Sequence, residues 1–321
     1  MSGSTGGDRS GGVAFGDPRW LAAGAGGLVA AVAALWAVRG LPFGGVLLWA
    51  SPLPILLAGL GFGLSAAAGA LAVATAAIAL AAGPLPLLLF LVGFGLPALL
   101  LLGFGLRGGR LRPSLPFALL GLWPAGVTLA LSLALADEPG GLDGAMRRTL
   151  QYSFAHSGIA VPEEAIAVAA RVKPGMLGLV FAVAMAANAA LAQWLLTRSG
   201  LALAPTPRWS VAARLPGWYP ALPALALLWW AAVDPEGLGL GIGLALLAPV
   251  FLQGLAAIHA ALPLGRPGRR AMLGALYAAI LFPMTSTLAV LSVTAFGLIS
   301  QWWRHPGGSA AGPPNSGGTP T

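Results

Sequence analysis

The side chains of this chain that could do chemistry inside an apolar run are few, and nearly all are uncharged. Asn188 lies in AMAANAALAQW, five residues before Gln193, and Gln253 lies in FLQGLAAIHA, six before His259. A lone amide in hydrocarbon needs a hydrogen-bond partner, so Asn188 and Gln253 must face the interior of a bundle. Two roles fit. As an interhelical clasp, each is worth about 0.6–2 kcal/mol. As ligand contacts, Asn188 and Gln253 would supply the few placed polar groups of an otherwise apolar binding site. Gln193 lies nearer the end of its apolar run. His259 is about one turn from the end of its own and can snorkel to the interface. Thr285, Ser286 and Thr287 follow Pro283 and can take up the carbonyls that a proline frees.

Other chemistries lack their residues. No Asp or Glu lies within an apolar run, which argues against a carboxylate proton relay or an acid-ligated ion site at membrane depth. There is no cysteine, and the three histidines (His156, His259, His305) have no zinc-ligand spacing. The sole lysine, Lys173, precedes Pro174 rather than Ser or Thr, so no phosphate-binding loop is present. No G-x-S-x-G occurs to present a serine nucleophile. The expectation is a protein that is not an enzyme and carries no cofactor or metal. The net charge of +8 comes from arginines beside apolar runs, not from a basic patch, so nucleic acid is not an expected partner.

The elements that must hold those amides are membrane helices. The chain is 58% hydrophobic and only 8% charged, against roughly 25% charge in soluble domains. Its mean hydropathy is +0.86. A bilayer core of ~30 Å needs about 20 apolar residues. Candidate spans are 20–38, 45–63, 64–82, 85–106, 115–136, 176–197, 218–233, 238–262 and 271–299. The fold class expected is therefore all-α, a polytopic helical bundle of eight or nine spans. Pro52 and Pro54 should break the second span, and Pro283 should kink or split the last. Residues 20–304 read as a single membrane domain. The ends, 1–19 and 305–321, are rich in Gly, Ser, Pro and Thr and should be disordered.

Arginine placement predicts sidedness. Three loops hold Arg107, Arg110 and Arg112; Arg198, Arg208 and Arg214; and Arg266, Arg269 and Arg270. The positive-inside rule puts these in the cytoplasm, together with the N-terminus, in a bacterial inner membrane. The polar segment 137–173 then lies outside. It carries a helical stripe of Met146, Leu150 and Phe154, then a second run with Glu163 and Glu164 at its start and Arg171 and Lys173 at its end, as the helix dipole favours. Two short helices are expected, lying on the membrane face or capping a cavity.

Several stretches together carry a resemblance. SPLPILLAGLGFG and GFGLPALLLLGF precede an arginine cluster. FLQGLAAIHA, then LFPM, then FGLISQWWRH close the chain. The pattern resembles the YybS-like family of bacterial membrane proteins over nearly the whole chain. Its most specific elements are QGLA at Gln253–Ala256 and GL…W at Gly297–Trp302. Ser300 and Gln301 stand here where that family often has an acidic residue. The family is similar in turn to the S components of energy-coupling-factor transporters, compact helical bundles that hold a small solute. That resemblance implies docking to an energising complex with ATPase subunits through small residues on the first helix, here Ala23, Gly27 and Ala31. It also implies a small-molecule solute, beside the membrane lipid that any such bundle contacts. The alternative is a non-transporting scaffold or envelope-biogenesis protein.

Overall fold

A computed structural model describes residues 17–207, 213–234, 237–262, 265 and 267–303. The expected disordered tails fall outside these residues except for Asp17 to Arg19. There Asp17 Oδ1 accepts the Arg19 N–H at 2.9 Å, and Pro18 opens the first helix, an aspartate cap followed by proline at the first helical position. The chain is an all-α polytopic membrane protein. Among the described residues, eight helical stretches are long and apolar enough to cross a membrane. Large apolar side chains such as Leu80, Leu133, Leu228 and Met284 point outward, as lipid-facing positions do. The chain divides into two compact units between Pro249 and Val250.

The core of the first unit is built on small residues. In α1 (Pro18–Val38), Ala23, Gly27, Ala30, Ala31 and Ala34 are buried. They pack against α4 (Leu64–Ala82), whose Ala66, Ala67, Ala70 and Ala74 are buried in turn. A Cβ on Gly27 would collide with the Ala70 carbonyl oxygen and the Val73 side chain. Small residues let two backbones approach this closely, and dispersion across that contact replaces the hydrophobic drive that lipid removes.

Prolines break the spans where expected, and each break is repaired. The second span divides into α2 (Gly44–Ala50) and α3 (Pro52–Phe62). Pro52 cannot donate to the Leu48 carbonyl, and buried Ser51 does so instead through Oγ at 2.7 Å. The fourth span runs as α5 (Pro84–Phe90), a π turn at Leu91–Gly95 and α6 (Leu96–Gly105). In the π register Pro97 would have served the Val92 carbonyl; the Trp123 indole N–H takes it at 2.8 Å. A two-residue antiparallel hairpin, β1 (Leu106–Arg107) and β2 (Arg110–Leu111), then turns the chain into α7 (Ser114–Ala134).

The polar segment departs from two separate short helices. α8 (Gly141–His156) forms as expected. The second run does not stop at Lys173: α9 is one helix of 36 residues, Glu163–Arg198, that carries straight through Pro174 into the membrane span. The packing after the proline explains this. A Cβ on Gly175 would meet the Leu244 side chain and the Gly241 carbonyl oxygen, so a tight helix contact holds the backbone on course.

The run 218–233 also differs. It forms only α10 (Ala221–Val233), 13 residues, or ~20 Å at 1.5 Å per residue. That is short of the ~30 Å core, which leaves eight helices long enough to cross among the described residues. α10 lies antiparallel to the first half of α11 (Leu238–Ala261), with Gly239 against Ala226 and Trp230, and Gly243 against Leu227. Before α10 the described residues 201–207 and 213–220 are largely irregular, yet Ala204, Ala213, Leu215 and Tyr219 are buried. Such backbone survives at depth only inside protein. Leu203 N–H donates to the Leu60 carbonyl at 3.1 Å, and the Tyr219 hydroxyl to that of Leu246 at 3.0 Å.

In the second unit the overlong last run splits at Pro283 into α12 (Arg269–Leu281) and α13 (Pro283–Trp303). The expected hydroxyl repair is present: Thr285 Oγ1 donates at 2.8 Å to Ala279 O, the carbonyl that Pro283 would have served.

Candidate functional site

α9 walls two cavities of the first unit. The larger, about 500 Å³, lies under α8. Pro139, Gly140 and Gly141 turn the chain out of α7 and lead into α8, with both glycines at positive φ. The turn places Glu138, Leu142, Asp143 and Met146 over the opening, so the polar segment caps a cavity. α7 contributes Thr128 and Ser132, α9 contributes Arg171, and α10 and its C-terminal cap contribute Trp229 and Asp234.

The charged groups differ in how fully they are engaged. Asp234, 8% exposed, is occupied: Oδ1 accepts Gly237 N–H at 3.2 Å, and Oδ2 accepts Gly239 N–H. It caps α11, whose first amides would otherwise be unpaired. Asp143 Oδ2 accepts from Arg147 Nε at 2.6 Å, a one-turn pair within α8. Its other oxygen, Oδ1, is buried without a hydrogen-bond partner. A carboxylate oxygen in that position is an acceptor ready for a donor. Thr128 Oγ1 is bonded back to Pro124 O at 2.8 Å. The cavity can therefore hold a small solute, Asp143 receiving an N–H or O–H and Trp229 and Met146 offering apolar surface. Among the described residues no three His, Asp or Glu side chains are grouped to hold a metal ion.

The amides expected to contact ligand lie elsewhere. Asn188 is buried on α9 and gives its amide hydrogens to Trp49 O and Ala184 O, both at 2.8 Å. Trp49 O is a carbonyl exposed by the α2–α3 break, so Asn188 repairs that break. Gln193 gives its own to Ala204 O at 2.9 Å and Thr206 Oγ1 at 3.3 Å, tying down the irregular chain after α9, while its Oε1 is buried without a partner. Gln253 belongs to the second unit. Its Nε2 donates to Gly297 O and to Gln301 Oε1, each at 2.9 Å. Beside it, Gly254 and Gly297 bring α11 and α13 into backbone contact; a Cβ on Gly254 would strike the Val293 carbonyl. Neither Asn188 nor Gln253 lines either of the two cavities. His259 sits on α11 with Nδ1 2.8 Å from Leu255 O.

Comparison with protein-family models, curated proteins and solved structures finds no match to this chain. The site must be judged on its own geometry.

The small-residue face Ala23, Gly27 and Ala31 is covered by α4 within the first unit. The residues that sequence reasoning passed over are Asp143, Trp229 and Asp234. Their signal was faint: Asp143 and Asp234 lie at helix ends near glycines, Trp229 lies in an apolar helix, and none sits at a telling spacing from another.

Proposed function

We propose that this chain is a solute-binding membrane protein that admits a small polar solute to the cavity under α8. The observation that carries this reading is the cavity itself. At about 500 Å³ it falls within the ~300–1,000 Å³ of small-molecule sites, and a buried, unpartnered Asp143 oxygen lines it. The chemistry it asks of a solute is a hydrogen-bond donor joined to an apolar body. The YybS-like and S-component resemblances agree with this role and extend it: the chain would be the solute-binding component of a transport system. It carries no phosphate-binding loop, so uptake would be energised by a partner complex with ATPase subunits. Such a partner would dock on a surface other than Ala23, Gly27 and Ala31, which α4 covers.

The test is purification in mild detergent, followed by mass spectrometry of what the protein carries and what co-purifies. A small molecule with an N–H or O–H donor, released by Asp143→Asn at unchanged stability, is the expected result. A wild-type protein that neither carries nor binds any solute from a panel of small amines, amides and alcohols contradicts the reading. ATPase subunits in the same preparation support the transport extension; other envelope proteins with no small molecule favour a scaffold.

A further inference from the structure

The second cavity along α9 is unused by that function, and its chemistry is the opposite. It is a slot of about 220 Å³ between α3, α6, α7 and α9. Leu60, Leu102, Phe117, Leu120 and Met185 are typical of its walls. Its volume is below the ~300–1,000 Å³ that encloses a whole small ligand, so it suits a length of hydrocarbon chain. Two polar side chains line it, Arg112 and Gln193; Gln193 turns its amide nitrogen to Ala204 and Thr206, while its Oε1 is buried without a partner.

The mouth is the β1–β2 hairpin at the ends of two spans. Leu106 and Leu111 pair across the strands and line the slot; Arg107 and Arg110 form the next pair. Gly108 and Gly109 between them have φ of 57° and 68°. A two-residue turn with both central residues left-handed makes the tightest kind of hairpin, so the two arginines are held opposite each other. Like charges directly opposite across a strand pair destabilise it. Among the described residues no ion pair relieves this: the ion pairs there are Arg147–Asp143 and Arg148–Glu138, both at α8. Arg107 lies over the Phe104 ring at 5.8 Å, and Arg107, Arg110 and Arg112 are all exposed. An apolar slot thus opens beside three cations that lack a counter-charge among the described residues, where helix ends meet the headgroup layer.

We propose that this is a docking site for one anionic phospholipid, with an acyl chain in the slot and the phosphate against Arg107, Arg110 and Arg112. Charge complementarity selects the headgroup, as in other basic pockets between membrane helices. The apolar lining selects the chain. The site is independent of the solute cavity, and neither stands or falls with the other.

The experiment titrates delipidated protein in a neutral detergent with phosphatidylglycerol or with phosphatidylcholine of the same chain length. Bound lipid is counted by native mass spectrometry. One phosphatidylglycerol should bind, in preference to phosphatidylcholine. The triple variant R107Q/R110Q/R112Q should lose on the order of a hundredfold in affinity, from the contribution of three surface arginines. Ala189→Phe, which fills the slot and leaves the arginines in place, should abolish binding. Equal binding of the two lipids, or full binding by a folded Ala189→Phe protein, overturns the proposal. Should Ala189→Phe fail to fold, the triple variant decides alone, because its three side chains are exposed; undiminished binding by it is equally fatal.

Discussion

One helix, α9, serves two regions whose polar groups do different work. Toward its N-terminal end, Arg171 borders a cavity of about 500 Å³ in which an Asp143 oxygen has no protein partner. Farther along, Asn188 and Gln193 give their amide hydrogens to backbone carbonyls or a neighbouring hydroxyl, and the adjoining slot is almost wholly apolar. In hydrocarbon an unpaired carbonyl costs several kcal/mol, so every break at Pro52 or beyond Arg198 needs a donor, and an amide placed there serves the fold. Gln193 Oε1 is also buried without a partner, so the contrast lies in the donors: the amides spend theirs on the fold, whereas the Asp143 oxygen is an ionisable acceptor at a cavity large enough for a solute. Gln253 obeys the same rule in the second unit, where it clasps Gly297 and Gln301.

This contrast can be broken or sharpened by substitution. The largest effect expected lies in neither region but in the packing beneath both. Gly27→Leu should cost about 3 kcal/mol or more by overpacking the α1–α4 contact, seen as a steep fall in Tm or no recoverable monomer; a fully stable variant would mean that α1 does not pack there. Gln193→Leu should come next, at about 1–3 kcal/mol, because it leaves the Ala204 carbonyl buried without its donor. Asn188→Leu and Gln253→Leu should each cost about 0.6–2 kcal/mol and leave solute binding untouched. Loss of solute at constant Tm in either would restore that residue to the binding site and dissolve the contrast. Smallest in stability is Asp143→Asn. Its pair with Arg147 is a one-turn helix pair of about 0.3–0.5 kcal/mol, so Tm should barely move while solute binding falls.

Much of the fold was legible in the sequence. Span positions, the breaks at Pro52 and Pro283 and the rescue by Thr285 all follow from local rules about apolar length and proline. The continuity of α9 through Pro174 did not follow, because it depends on Gly175 meeting Gly241 and Leu244, a contact 66 or more residues away in sequence. The shortness of α10 escaped for a similar reason: composition cannot tell an irregular stretch such as 218–220, anchored by buried Tyr219, from a helical one. The hairpin was not foreseen, although two glycines between LR and RLR are a turn signal; arginine placement marks the segment only as a loop. At the candidate site the sequence pointed to the amides, the polar groups in the apolar runs that most need a partner. It could not show that broken backbone would claim them, nor that residues from α7, α8, α9 and the end of α10 would converge on one cavity.

The most direct measurement is solute occupancy in a protein whose cavity has been filled. Met146 lines the cavity from α8 and is half-buried, so Met146→Trp would occupy the space with little demand on the membrane bundle. Native mass spectrometry of the wild-type and variant proteins, with Tm measured on the same samples, reads the outcome. A solute site under α8 predicts a small-molecule adduct in the wild type that is absent from Met146→Trp at unchanged Tm. An adduct kept at full occupancy by the filled variant would place the solute elsewhere and contradict the central claim.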